Sequence, residues 1–220
     1  MDIAANILKL KSQLPVGVEL VAVSKFKAAP LILEAYNAGQ KIFGESRVKE
    51  FLEKQETLPK DISWHFIGHL QTNKVRPLIG KTSLIESVDS EKLIELLDIE
   101  SLRAGITTDV LLQVHVAQEE TKFGFFPEEI LEYYRSKRVQ NLRAVKIRGI
   151  MGMASNTSDT ERIKQDFNKI YSIFCQLKNE FNLPQKEFDK VSMGMSGDWE
   201  LAVESGSNII RIGSAIFGNR

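Results

Sequence analysis

An internal disulfide is excluded, because the 220 residues hold a single cysteine, Cys175. Inside an amphipathic segment, and with no Cys-His signature around it, that thiol reads as a packing residue of a reducing compartment. No apolar run approaches the ~20 residues that span a bilayer. The opening Met1-Asp2-Ile3-Ala4-Ala5-Asn6 also lacks the basic start and apolar centre of a secretory signal. These absences predict a soluble, cytoplasmic protein with no membrane partner. An excess of charge of one sign is missing too: 29 Lys and Arg balance 29 Asp and Glu. Bulk positive charge therefore cannot recruit nucleic acid, and no nucleic-acid partner is expected. His65 and His69 have no companion carboxylate or cysteine at ligand spacing, so no metal is expected. Linkers, internal repeats and low-complexity runs are also lacking, and residues 1–220 read as one domain.

What the chain does have is alternation of strand and helix. Ile3, Ile7, Leu10 and Leu14 recur at spacings of three and four, which predicts an amphipathic helix over 2–14, stopped by Pro15. Leu20 to Val23 form a short branched apolar run that favours a buried strand. Pro30 through Gly39 open and close like a helix, Ile42 to Glu45 read as a strand, and Arg47 to Gln55 as a helix. Further strands are expected at 62–67, 83–88, 107–116, 145–151, 191–193 and 208–212. Helices are expected after Ser90, after Pro127, across Ile163 to Phe181 with Ser158 and Glu161 as a capping box, and up to Gly206. Eight strands alternating with helices through short connections predict an α/β fold, a closed (β/α)8 TIM-type barrel of parallel strands. The helix over 2–14 is additional to the barrel and is expected to plug or flank it.

Several residues sit where such a barrel does chemistry. Lys25 follows the first strand at the C-terminal end, the floor of barrel active sites, where a desolvated lysine can attack a carbonyl. A plain surface lysine after a strand is the alternative. Met193-Gly194-Met195-Ser196-Gly197-Asp198 and Ile212-Gly213-Ser214 follow strands seven and eight, the usual place for a phosphate. Their glycines and hydroxyls suit an anion, though two ordinary turns would look the same. Arg211 lies between Ile210 and Ile212, so alternation turns it into the barrel if the isoleucines face the helices. A buried guanidinium needs a partner, either a glutamate such as Glu45 or Glu86, or the nitrogen of a bound heteroaromatic ring. His65 reads as a site-facing or core imidazole. Lys27 and Lys122 read as solvated loop charges near the mouth.

Taken together, Val21-Ala22-Val23-Ser24-Lys25, Phe43-Gly44-Glu45, Trp64-His65-Phe66-Ile67-Gly68, Leu70-Gln71-Thr72-Asn73-Lys74, Gly194-Met195-Ser196 and Arg211-Ile212-Gly213 through Ile216-Phe217-Gly218 resemble the pyridoxal phosphate homeostasis proteins. These are single-domain relatives of the barrel half of alanine racemase, and the likeness runs nearly the full length in order. It implies pyridoxal 5'-phosphate as cofactor, held as an aldimine on Lys25. Ser196, Gly213 and Ser214 would hold the phosphate and Arg211 would face the pyridine nitrogen; His65, as a site-facing imidazole, is the further candidate for cofactor binding. Three positions depart from the family pattern. Gly44-Glu45-Ser46 stands where Gly-Glu-Asn is common, His115 where an Asn is usual, and Lys122-Phe123-Gly124 where Lys-Ser-Gly is typical; all three bear on the open face of the ring.

The resemblance implies a protein that regulates intracellular supply of the cofactor without strong turnover. Apo-forms of pyridoxal phosphate enzymes are the expected partners, and the chain is expected as a monomer or weak dimer. An arginine beside the pyridine nitrogen keeps that nitrogen unprotonated and weakens the ring as an electron sink. Racemisation needs a base on each face of the substrate carbon, and Lys25 serves one. A weak amino-acid racemase, or another pyridoxal phosphate enzyme, is the second reading. An aldolase-like barrel in which Lys25 attacks a sugar-phosphate carbonyl is the third.

Overall fold

A computed structural model describes residues 2–117 and 123–218. In chain order the elements are α1 (Ile3–Gln13), β1 (Glu19–Val23), α2 (Ala29–Asn37), β2 (Ile42–Glu45), α3 (Val48–Thr57), β3 (Ser63–Phe66), β4 (Leu84–Val88), α4 (Glu91–Ala104) and β5 (Thr108–Val114). They continue with α5 (Pro127–Arg135), β6 (Val145–Gly152), α6 (Thr160–Glu180), β7 (Lys190–Ser192), α7 (Trp199–Glu204), β8 (Ile209–Ile212) and α8 (Ser214–Phe217). The eight strands close in sequence order, all parallel, with β8 pairing back onto β1 through Glu19↔Ile209 to Ala22↔Ile212. The (β/α)8 barrel expected from the alternation is the fold. Two 3-10 turns, Thr72–Lys74 and Arg76–Leu78, connect β3 to β4.

Strand alternation sorts the core into two shells. Ala22, Phe43, Trp64, Phe66, Ile85, Val110, Leu112, Ile150, Val191, Ile210 and Ile212 face outward and pack under the helices. Val21, Leu84, Leu111, Met151 and Ile209 meet inside the barrel as a separate apolar cluster with Ile42. One pleat nearer the C-terminal ends lies a buried polar layer: His65, Glu86, Gln113, Ser192 and Arg211. The expected inward turn of Arg211 follows from Ile210 and Ile212 belonging to the outer shell. Around Gly149, at φ +153°, the β5–β6 register shifts. A Cβ there would stand 1.8 Å from the Lys190 carbonyl oxygen, so only glycine lets β7 pair this closely.

The caps of two helices differ from expectation. The long helix α6 is capped by Asp159, whose carboxylate accepts from the amides of Glu161 and Arg162, and not by Ser158. Ser90 does occupy the position before α4, but its side chain makes no capping bond. α1 flanks the barrel without plugging it, packing on α2 and α8. Asn6 Nδ2 donates to Ile216 O at 3.0 Å, and Glu34 accepts from the Ile3 amide at 3.0 Å. Cys175 is half-buried and packs against the core, the role its surroundings predict.

Candidate functional site

At the C-terminal mouth a cavity of ≈ 410 Å³ is lined by Lys25, Lys27, Ser46, Ile67, Met153, Met195, Ser196, Arg211, Gly213 and Ser214, with Val23, Gly197 and Gly218 completing its wall. That size suits a small molecule. Of the six residues the sequence singles out, five converge here: Lys25, Ser196, Arg211, Gly213 and Ser214. They come from two neighbouring parts of the barrel, Lys25 from the end of β1 and the rest from β8 and the loops after β7 and β8. Parallel closure of β1 on β8 is what brings residues so distant in sequence together.

His65 is the exception. Its ring is 4% exposed and is not among the residues lining the cavity. Nδ1 lies 2.6 Å from Glu86 Oε1. Glu86 Oε2 accepts from Ser192 Oγ at 2.5 Å, and that hydroxyl accepts from Arg211 at 2.5 Å. His65 therefore connects to the cavity through a chain that ends at the guanidinium. A second Arg211 nitrogen donates to Gly152 O at 3.0 Å. Of the two glutamates proposed as partners for Arg211, Glu86 is the one, at 3.7 Å. Burial by itself pushes the Glu86 carboxyl up, but the hydrogen bond and charge of His65, the charge of Arg211 and the Ser192 hydroxyl outweigh it and hold Glu86 below the usual carboxylate range. Arg211 is lowered by burial, against the opposing pull of Glu86 and Asp198.

The loops after β7 and β8 meet at Ser196. Its Oγ accepts from the amides of Gly213 and Ala215 at 3.3 and 3.4 Å. Both bonds are longer than the usual ~2.9 Å for N–H···O, so two amides point at one oxygen that holds them loosely. An anionic oxygen at that point would take the same two amides with Ser196 Oγ beside it, the donor set of an oxyanion cradle. Gly194, at φ +97°, makes the turn possible; a Cβ there would meet Ala202 Cβ at 2.6 Å. Asp198 fixes the loop from below, its carboxylate accepting from the Met195 amide at 2.5 Å. Burial raises the Asp198 carboxyl above its ordinary value, with the Met195 amide and Arg211 opposing.

Lys27 is not the solvated loop charge expected of it. Half-buried on the cavity wall, it donates to Phe217 O and Gly218 O, both at 3.1 Å, and so ties the β1 loop to the last turn of α8. Lys122 lies outside the described residues. His69 pairs with Asp89 at 2.7 Å and stacks on Phe123, with ring centroids 3.7 Å apart. Among the described residues no group of three His, Cys, Asp or Glu side chains is arranged to hold a metal ion.

Sequence reading overlooked Ser192, Met153 and the amide of Ala215. Ser192 was within reach, since it is the inward residue of Val191-Ser192-Met193 by the same alternation that placed Arg211. Met153 and the Ala215 amide carry no sequence signal. Also overlooked was a buried cluster beside Lys25, in which Lys54 binds Glu45 Oε1 and Glu50 Oε1, each at 2.7 Å. Burial raises the Glu45 carboxyl above its ordinary value even though Lys54 and Ser24 hydrogen-bond to it.

Over residues 1–220 the chain matches the family described as alanine racemase, N-terminal domain. A pyridoxal phosphate homeostasis protein of Aquifex aeolicus is 40% identical over 203 residues, covering 92% of this chain and 87% of its own. Its namesake from Homo sapiens is 40% identical over 214 residues, covering 91% of this chain and 76% of its own. Among solved structures, PipY of Synechococcus elongatus without PLP superposes at a TM-score of 0.92 with 38% identity, covering 98% of this chain and all of the other (100%). PipY with PLP bound gives 0.89 at 37% identity and the same coverage. Alanine racemase from E. faecalis, 22% identical and matched over 58% of its length, shares the fold at a TM-score of 0.75. The chain therefore belongs to the alanine racemase N-terminal-domain family, in its group of pyridoxal phosphate homeostasis proteins.

Proposed function

We propose that this protein holds pyridoxal 5'-phosphate on Lys25, as a lysine aldimine, and governs its intracellular supply without strong catalytic turnover. The observation that carries the reading is convergence: an exposed amine, a two-amide cradle with a hydroxyl, and a buried guanidinium share one ≈ 410 Å³ cavity. Each fits a different part of the cofactor. Lys25 is the amine for the aldehyde; Ser196, Ser214 and the amides of Gly213 and Ala215 suit the phosphate; Arg211 suits the pyridine nitrogen. When bound, the cofactor supplies an electrophilic aldehyde and a ring able to accept electrons. Homologues named for pyridoxal phosphate homeostasis, and PipY with PLP bound, support the same assignment.

The chain's own residues favour holding over turnover. Arg211 is fixed as a donor by Ser192 and Gly152 O and paired with Glu86, so it presents positive charge where a ring nitrogen would otherwise take a proton. Among the described residues lining the cavity, Lys25 and Lys27 are the side chains able to exchange a proton in acid-base catalysis, and Lys27 is engaged by two carbonyls. A racemase would need a second free base on the opposite face. On this reading residues 1–220 form a single pyridoxal phosphate-binding barrel domain. Apo-forms of pyridoxal phosphate enzymes in the cytoplasm are its recipients, and it acts as a monomer or weak dimer.

The test is the absorbance spectrum of purified protein with added pyridoxal phosphate, before and after borohydride, with the reduced lysine mapped by peptide mass spectrometry. A yellow chromophore trapped on Lys25 and absent from Lys25→Ala is the expected outcome. A protein that stays colourless and unlabelled would overturn the cofactor assignment. Interconversion of single amino-acid enantiomers, lost in Lys25→Ala, would move the reading to a racemase.

A further inference from the structure

The backbone on both sides of Lys25 is held by one ammonium that is not among the groups lining the cavity. Lys54 projects from α3, with its side chain 8% exposed, and donates to three acceptors, each at 2.7 Å: Ser24 O, Glu45 Oε1 and Glu50 Oε1. An ammonium has three N–H donors, so this one is saturated. The two carboxylates pass the constraint on. Glu45 Oε1 accepts from Ser24 Oγ at 2.6 Å, and Glu50 Oε1 accepts from the Phe26 amide at 2.5 Å. Residues 24 and 26, the two neighbours of Lys25, are thereby both tied to the same hub. Phe26 is held at φ +63°, a left-handed conformation that a bulky residue keeps only where its surroundings impose it.

We propose that Lys54, acting through Glu45 and Glu50, is a positioning residue that fixes the backbone of Lys25 so that its amine stands over the cavity. The inference rests on the reading of Lys25 as the cofactor lysine and adds what sets its geometry. A buried ion cluster is weak evidence for stability, because desolvation offsets its attraction. Its placement is the stronger clue: all its bonds to other segments fall on residues 24 and 26. Fixing the reacting amine before the ligand arrives removes an ordering cost from binding.

The experiment compares the parent with Lys54→Met, Glu50→Ala, Glu50→Gln and Asp98→Ala. Asp98 caps three amides, those of Arg143, Ala144 and Val145, at the opposite end of the barrel, and so gives a destabilised control. Three quantities are read: thermal midpoint, amide hydrogen exchange of the 24–27 segment without cofactor, and affinity for pyridoxal phosphate with its absorption band. Lys54→Met and Glu50→Ala are expected to speed exchange and to weaken binding by about tenfold, the loss of roughly one charge-assisted hydrogen bond. In Glu50→Gln the amide oxygen still accepts from Lys54 and Phe26, so parental values return. Asp98→Ala lowers the midpoint and leaves the other two readings unchanged. Should Lys54→Met not fold, Glu50→Ala carries the comparison. The proposal is overturned if exchange and affinity stay parental in both variants, if exchange rises while affinity does not fall, or if Asp98→Ala reproduces the effect. Failure of the parent itself to bind pyridoxal phosphate would instead remove the reading of Lys25 on which the proposal rests.

Discussion

Glu86 shows how much one buried carboxylate can decide. It is fully buried in the barrel interior, and four influences outweigh the burial that would raise its pKa: the His65 hydrogen bond and charge, the Arg211 charge, and the Ser192 hydroxyl. Its native pKa therefore lies below its unfolded value, and between the two the unfolded chain binds more protons. The stability it contributes is complete above the ordinary carboxylate range and is lost as pH falls through the lowered native value. Glu45 runs the other way: its raised pKa favours the native state below the ordinary value, and that contribution is lost as pH rises through the raised one. Glu86→Gln keeps the shape but leaves Arg211 buried without its anion, which should cost about 3–5 kcal/mol at neutral pH and flatten the acid limb of stability. Urea unfolding across pH 3 to 7, roughly the span over which carboxylates titrate, measures both. A Gln variant with parental stability and an unchanged acid limb would mean that Arg211 does not depend on this carboxylate. The sequence allowed Glu45 or Glu86 as the arginine's partner and could not choose. Alternation placed Arg211 inward; which parity of β2 faces in comes from the structure, where Glu45 turns outward with Phe43 and meets Lys54 of α3.

At the scale of elements, what was legible was the order, because period-2 and period-3.6 patterns report which face is buried, and here every strand needs a helix over it. The caps were less legible. Ser158 and Asp159 are both good capping types, and the choice between them turned on backbone geometry, with Asp159 reaching the amides of Glu161 and Arg162. The glycine of the β7 loop was legible as a turn but not as a spacer. Gly194 combines φ +97° with a Cβ position 2.6 Å from Ala202 Cβ and 3.0 Å from Trp199 Cα. Gly194→Ala therefore meets both backbone strain and a clash with the first turns of α7, and should cost about 1–3 kcal/mol. The same shift moves Ser196 relative to the amides of Gly213 and Ala215. Phosphate and pyridoxal phosphate should both bind more weakly than to the parent, as read by isothermal titration at a temperature where both proteins are folded. Loss of stability with parental phosphate affinity would separate the loop's fold from the cradle.

At the scale of the whole molecule the cavity sits on the seam that closes the barrel. β1 and β8 are joined by pairing of residues 19–22 with 209–212. Lys27 adds two bonds from the β1 loop to the end of α8, and α1 adds one from Asn6 to Ile216 O. A ligand bonded to Lys25 on one side and to the β7 and β8 loops on the other would bridge that same seam. A ligand that binds only the native state stabilises it by about 2.7 kcal/mol at a concentration 100 times its Kd. For a chain of this size that is roughly 5–10 °C in Tm. Pyridoxal phosphate should raise the melting temperature by that amount in the parent. Inorganic phosphate would contact only the β7–β8 side, so at the same concentration it should give a smaller rise. In Lys25→Ala the cofactor would keep its phosphate and Arg211 contacts but lose the bond to β1, so its effect should fall well below that in the parent, towards that of phosphate. A full shift in Lys25→Ala would mean that the stabilisation comes from the cradle and that bridging the seam contributes nothing.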